Sequence, residues 1–235
     1  MPDEVGATVV VGGTAGLGRA VAEHFARKGR PVVVSSRDLG RAQAAAAEIG
    51  GDTMGVALDL SQPHDIAKSL TDVGAVRDLV LVAVERDYNT VDDYDVDRAI
   101  RLVTIKLVGY TEVVHALRSR LQPDGSIVLF GGLAKERPYQ GSTTISTVND
   151  AMTGLTRTLT RELAPMRVNA IHPGIVGDHP EWSTKPKSLL DGIVARTPLG
   201  RLVTRDEIAA ATAFLLEHPS VNGINLFVDG GWMIT

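Results

Sequence analysis

Cysteine is absent from the 235-residue chain, so neither a disulfide nor a thiolate metal site can form. Aromatic residues make up only 4%, which leaves the core to Val, Leu, Ile and Ala. Basic charge is not in excess: 24 Lys and Arg stand against 28 Asp and Glu, a formal charge of −4. A nucleic-acid or anionic-membrane surface needs a basic face, so neither partner is expected. No apolar run approaches the ~20 residues that cross a bilayer. The acidic start Met1-Pro2-Asp3-Glu4 lacks the basic character of a signal peptide, and a cytoplasmic location is expected. Internal repeats, low-complexity tracts and linkers are lacking too. What remains is 44% hydrophobic and 22% charged, the balance of one globular domain over 1–235.

Short β-branched runs alternate with Ala-rich or amphipathic stretches along nearly the whole chain. Strands are expected at Ala7 to Val11, Pro31 to Ser35, Thr53 to Leu58, Asp78 to Val84, Ser126 to Phe130, Met166 to Ile171 and Ile224 to Val228. Helices are expected at Gly16 to Lys28, Leu39 to Ile49, Thr143 to Leu163 and Asp206 to Glu217. A further helix at Pro63 to Thr71 has Ser61 as its expected N-cap, and a long one at Asp92 to Leu121 carries Gly109 in its middle. Strands with few polar interruptions, separated by helices, imply a parallel sheet buried on both faces. Right-handed crossovers then give an α/β, doubly wound fold. The stretch His172 to Pro198 is rich in Pro, Gly and charge. It is too long for an ordinary connection and reads as a lid or binding loop.

The first strand runs into Gly12-Gly13-Thr14-Ala15-Gly16-Leu17-Gly18-Arg19 and then a helix. This spacing permits a tight turn and lets a pyrophosphate approach the free N–H groups of the helix start, which points to a dinucleotide. The end of the second strand chooses between cofactors. An acid there would bond the ribose hydroxyl of NAD and repel the extra phosphate of NADP. The residues are Ser35-Ser36-Arg37, then Asp38; Arg37 offers a planar fork and Ser36 a hydroxyl, so NADP(H) is preferred over NAD(H). The alternative makes Arg37 a solvated charge and Asp38 the ribose ligand. Asp59 ends the third strand, where it can accept from an adenine amino group or cap the next helix.

With these residues in place the chain resembles the short-chain dehydrogenases/reductases. The resemblance runs through Arg161-Glu162-Leu163-Ala164-Pro165-Met166-Arg167-Val168-Asn169-Ala170, Pro173-Gly174, Pro198-Leu199-Gly200-Arg201 and Val228-Asp229-Gly230-Gly231. It implies a single Rossmann-type domain with a seven-stranded parallel sheet, NAD(P)(H), and a homotetramer or homodimer formed through the two long helices. It places Gly12, Thr14, Gly16, Leu17, Gly18, Ser36, Arg37, Asp59 and Leu60 along one half of the cofactor. Ala83, Lys106, Asn149, Pro173, Gly174 and Val176 fall along the other half.

The resemblance breaks at the chemistry. Family catalysis uses a Tyr-x-x-x-Lys pair in the second long helix, a Ser at the preceding strand end and an Asn in the first long helix. Aligned through Arg157 and Glu162, the Tyr position is Ile145, the Lys position Asn149, the Ser position Gly132 and the Asn position Lys106. The strand-four Asn-Asn-Ala-Gly signature is replaced around Val82-Ala83-Val84-Glu85, and the Thr expected after Pro173-Gly174 is Asp178. Ile145 cannot donate a proton and Gly132 has no hydroxyl, so neither is a catalytic group. Lys106 and Asn149 exchange two residue types, so Lys106 is expected at the nicotinamide ribose with Asn149 keeping a hydrogen bond there; the alternative pairs Lys106 with an acid or turns it outward. Lys106 and Tyr139, in Arg137-Pro138-Tyr139-Gln140, are the candidate proton donors, and Trp182 a candidate for closing over substrate.

Three functions compete. The first is an NADP(H)-dependent oxidoreductase transferring hydride to a small organic substrate that needs little acid help, an imine or activated alkene. The second is an inactive NADP-binding sensor or partner subunit, and the third a non-redox biosynthetic enzyme on the same fold. His172, Asp178, His179 and Glu181 share the lid region without helical spacing, and no metal site is expected; His172 is expected at a strand end beside the cofactor.

Overall fold

The computed structural model describes residues 6–235; the acidic start at Met1 to Glu4 lies outside them. Interior strand β1 (Ala7–Val11) pairs in parallel with β2 (Val32–Ser36) on one side and β4 (Val76–Leu81) on the other. With β3 (Thr53–Ala57), β5 (Leu121–Phe130), β6 (Arg167–Pro173) and β7 (Asn225–Val228) they form one parallel sheet of order β3-β2-β1-β4-β5-β6-β7. This is the seven-stranded doubly wound sheet that the alternating pattern predicts.

Side chains alternate across the sheet, as the period of two requires. Val9, Val11, Leu79, Leu81, Ile127 and Leu129 enter one core, with α5 (Tyr110–Leu117) and α6 (Thr143–Glu162) over it. Val10, Val34, Val80, Val128 and Phe130 enter the other, beneath α1 (Gly16–Arg27) and α9 (Arg205–Glu217). Both faces are therefore dry. α2 (Leu39–Ile49) has the expected bounds and starts at Asp38, whose Oδ1 accepts from the Arg41 N–H at 2.7 Å.

Several boundaries differ from expectation for local reasons. The helix expected over Pro63 to Thr71 is a 3₁₀ turn, Pro63–Asp65, followed by the short α3 (Ile66–Ser69). Ser61 does not cap it: its N–H and Oγ both bond to Asp59 Oδ1, at 2.9 and 2.7 Å. The long helix starts at α4 (Val96–Val103), because Asp95 Oδ1 takes the Arg98 N–H at 3.0 Å and caps it there. It then passes through a π-helical segment, Thr104–Gly109, into α5, and ends at Leu117. Gly109 allows that segment to approach Leu60, whose carbonyl oxygen would lie 2.7 Å from an added Cβ. β4 stops at Leu81, where the N–H groups of Val82 and Ala83 both turn to the Val11 carbonyl. β5 begins early, with Leu121 opposite Val76 before a bulge that resumes pairing at Ser126. The expected irregular lid holds two helices, α7 (Pro180–Ser183) and α8 (Lys187–Arg196).

α1 leaves β1 at an angle set by one close approach. A Cβ on Gly18 would meet the Gly12 carbonyl oxygen at 2.2 Å, a backbone atom that cannot turn aside. Gly18→Ala is expected to destabilise by about 1–3 kcal/mol through overpacking. At roughly 2–4 °C per kcal/mol for a chain of this size, thermal unfolding should show a Tm several degrees lower. An unchanged Tm would mean that the turn relaxes freely.

Candidate functional site

A cleft of about 1050 Å³ opens along the carboxyl ends of the strands. Chain winding reverses between β1 and β4, and a crevice at such a switch point is where open α/β sheets take ligands. Of the residues the sequence singles out, Gly12, Thr14, Gly16, Leu17, Ser36, Arg37, Asp59 and Leu60 line it. So do Ala83, Lys106, Tyr139, Asn149, Pro173, Gly174 and Val176, together with Gly132 and Ile145. Gly18 is not among the lining residues; an added Cβ there would meet the Gly12 carbonyl oxygen, so packing requires a glycine at this position.

The glycine turn is built to leave the start of α1 bare. Gly12 and Gly16 have φ of +88° and +54°, the left-handed region that glycine alone adopts without strain. Ala15 occupies the N-cap without a side-chain hydrogen bond, and no acid stands in the first turn. Unpaired N–H groups and the positive helix end therefore face the cleft, which fits a pyrophosphate. The His179 ring lies over this turn, with Nε2 2.6 Å from where a Gly16 Cβ would sit. Its Nδ1 accepts from the Glu181 N–H at 3.3 Å, and burial lowers its pKa.

At the β2–β3 end Ser36 and Arg37 face the cleft. Arg37 Nη1 is 3.4 Å from Glu85 Oε2, and Arg101 Nε binds the same oxygen at 3.0 Å. Asp59 is partly buried, which raises its pKa, but the two bonds from Ser61 outweigh that and hold the carboxyl below its ordinary value.

The floor carries the least ordinary group. Lys106 is 1% exposed, and among the described residues no acid pairs with it. Its Nζ donates to the Phe130 carbonyl and to Tyr110 Oη at 3.2 Å, and Tyr110 in turn donates to the Ala83 carbonyl at 2.8 Å. Burial lowers the amine to about 7 and raises the Tyr110 phenol well above its ordinary value. Beside it, Ile145 packs with Leu102 and Val148 where a phenol is expected from the resemblance. Gly132 and Asn149 fit as a pair, since a Cβ on Gly132 would stand 2.8 Å from Asn149 Nδ2.

Lid contacts that the sequence did not disclose complete the cleft. Arg86 Nη1 binds Glu181 Oε1 at 2.7 Å and ties α7 to the segment after β4. Trp182 lines the cleft near it, and Tyr139, 48% exposed with its pKa raised by burial of the ring, stands at the rim. Arg137 and Arg196 flank Trp232, a residue marked in sequence only by the preceding Asp229-Gly230-Gly231. His172 does not reach the cleft: it is buried against Phe227 with Nε2 2.9 Å from Asn225 Oδ1. Asp178 binds Arg205 at the start of α9. Among the described residues no group of three His, Asp or Glu could hold a metal, and no helix is long and apolar enough to cross a membrane.

The Lys106 amine titrates near 7 when folded and at its ordinary 10.5 when unfolded. Between those values the unfolded chain binds more protons, so folding stability rises with pH across that window. The cost of burying the charged form is full below about pH 7. Lys106→Met lacks this rise. Its Tm relative to the unaltered chain is expected to be highest near about pH 6 and to fall by about pH 9. Parallel Tm–pH curves would place the amine in ordinary solvation.

Comparison with known proteins gives this cleft a family. A family model described as Enoyl-(Acyl carrier protein) reductase matches residues 12–233. A Homo sapiens 3-oxoacyl-[acyl-carrier-protein] reductase is 35% identical over 230 residues, covering 94% of this chain and 95% of that protein. Carbonyl reductase family member 4 of Xenopus tropicalis is 33% identical over 232 residues, with 94% and 95% covered. Among solved structures, a Brucella melitensis short-chain dehydrogenase/reductase described as glucose/ribitol dehydrogenase superposes with a TM-score of 0.90 at 31% identity, covering 97% of each chain. The chain belongs to the short-chain dehydrogenase/reductase family of nicotinamide-dependent oxidoreductases.

Proposed function

We propose that the chain is an NADP(H)-dependent oxidoreductase with an atypical proton path, acting on a small organic substrate, an imine or an activated alkene. The observation that carries this reading lies just after β2. Ser36 and Arg37 face the cleft, while Asp38, the residue that would repel a ribose phosphate, is engaged as the cap of α2. A guanidinium beside a hydroxyl suits a phosphate. The Arg37–Glu85 contact, at 3.4 Å between half-exposed side chains, is weak enough for a phosphate to displace. The bare start of α1 supports a pyrophosphate alongside.

NADPH, when bound, supplies a hydride to the substrate carbon. The relatives named as 3-oxoacyl reductases reduce a carbonyl, which calls for a proton on its oxygen, and Gly132 and Ile145 bring none. Lys106 holds protons on Nζ at the cleft floor and titrates near neutrality, the range in which a general acid works best. Its ammonium gives a proton to the atom left electron-rich beside the reduced carbon and becomes the amine; an iminium needs no such proton. Asn149, which lines the cleft, would keep a hydrogen bond at the nicotinamide ribose through its amide. The lid at about 172–198, with Trp182 and Tyr139, excludes water.

Equilibrium titration tests the cofactor. NADPH is expected to bind in the micromolar range and NADH much more weakly, and Arg37→Ala to cost NADPH about tenfold or more while leaving NADH unchanged. No binding of either, or an equal loss for both, overturns the reading. With an activated alkene substrate, whose reduction leaves an atom to be protonated, kcat/KM should fall as pH rises through about 7, and Lys106→Met should lack that limb.

We propose a homodimer or homotetramer formed through the two long helices, α4–α5 and α6, with α4 contributing an apolar strip. Val96, Ile100 and Val103 form an exposed apolar strip at i, i+4 and i+7. Ile100→Glu is expected to lower the mass seen in sedimentation; an unchanged mass assigns the contact elsewhere.

A further inference from the structure

The β5–β7 end of the cleft carries charge that the reaction above does not use. Arg137, in the segment after β5, and Arg196, the last residue of α8, hold their guanidinium carbons 5.2 and 4.9 Å from the Trp232 ring centre. All three residues line the cleft. Arg137 Nη1 donates to the Trp232 carbonyl at 2.5 Å and to Thr235 Oγ1 at 3.1 Å, and Arg196 Nε donates to the Gly192 carbonyl at 3.2 Å. These bonds fix both arms and leave the other guanidinium nitrogens without a protein acceptor among the described residues.

Other charged groups at the cleft surface are matched, and Lys106 is buried at the floor on the Phe130 carbonyl and Tyr110. Arg37 faces Glu85, Arg86 faces Glu181, and Asp59 is held by Ser61. Among the described residues no carboxylate pairs with Arg137 or Arg196. Two like charges about one indole repel each other, and in a chain of net charge −4 that imbalance is local and directed into the cleft. Two planar forks held by an aromatic ring match an oxyanion.

Sheet order separates this pair from the cofactor end. Arg37 and Asp59 follow β2 and β3, whereas Arg137 and Trp232 follow β5 and β7, with β1 and β4 between. The pair is thus distinct from the α1 start and from the ribose-phosphate position. Leu189 and Ile193 precede Arg196 on the same face of α8, at i−7 and i−3, and also line the cleft.

We infer that this end of the cleft binds the anionic head, carboxylate or phosphate, of a small organic substrate whose carbon body lies along Leu189 and Ile193. The inference rests on the oxidoreductase reading for the identity of this ligand as substrate, while the anion site can be tested without any turnover. The probes are hexanoate, hexyl phosphate and their neutral counterpart hexanamide, titrated against the chain by tryptophan fluorescence. At least one anion is expected to bind about tenfold or more tighter than hexanamide, and the tighter of the two names the head group. Arg137→Gln with Arg196→Gln should abolish the preference and leave NADPH affinity unchanged. Arg137→Lys with Arg196→Lys should keep part of it, and serves if the Gln pair fails to fold. Equal binding of acid and amide, no saturable binding of any probe, or a preference that survives the Gln pair overturns the inference. Failure of NADPH to bind the unaltered chain would sink the cofactor reading and leave this result standing.

Discussion

The reversal of winding between β1 and β4 is the constraint on which the site depends. From β1 the chain proceeds outward to β3, and from β4 outward in the opposite direction to β7. No crossover helix can cover the carboxyl ends at the reversal, so the sheet necessarily presents a crevice there. The residues that close β1 and β4, Gly12 and Ala83, form its floor, and a Cβ on Gly12 would stand 2.9 Å from the Ala83 backbone. Strand ends are thus packed as tightly as the cores beneath them.

Close packing also explains how an amine is kept at the bottom of the crevice. Gly109 brings the π-helical turn against Leu60, and Lys106 in that turn is directed inward between Phe130 and Tyr110. Glycines again make room on the β5 side: Gly131 lies against His172, whose Nδ1 would be 2.3 Å from an added Cβ, and Gly132 against Asn149. Around Lys106 and Asn149, backbone takes space that side chains fill elsewhere in the sheet.

Much of this was legible in the sequence. Buried strands announce themselves by β-branched runs, α2 by its alanines with Gly50 beyond, and the turn before α1 by its glycine spacing. The π-helical turn was not legible: its close approach to Leu60 joins Gly109 to a residue 49 positions away by residue number, and no periodicity marks it. The lid helices were hidden by Pro, Gly and charge, which locally resemble a loop. Lys106 and Asn149 were singled out through alignment, yet the burial of the amine follows from Tyr110 and Phe130, which carry no sequence mark. The Arg137–Trp232–Arg196 cluster joins three distant segments, and no periodicity connects them.

The fit of Gly132 to Asn149 bears on how this chain can change over time. Any side chain at 132 must begin with a Cβ, and that Cβ would press on the Asn149 amide at 2.8 Å. Residue 149 therefore has to change or swing away before 132 can gain a hydroxyl. Ile145, in turn, sits in a small apolar cluster with Leu102 and Val148 that a phenol would disturb. Reversion toward the residues that the resemblance leads one to expect is then an ordered path rather than a set of independent steps. The order of the steps is set by which side chain must move first, the Asn149 amide before residue 132.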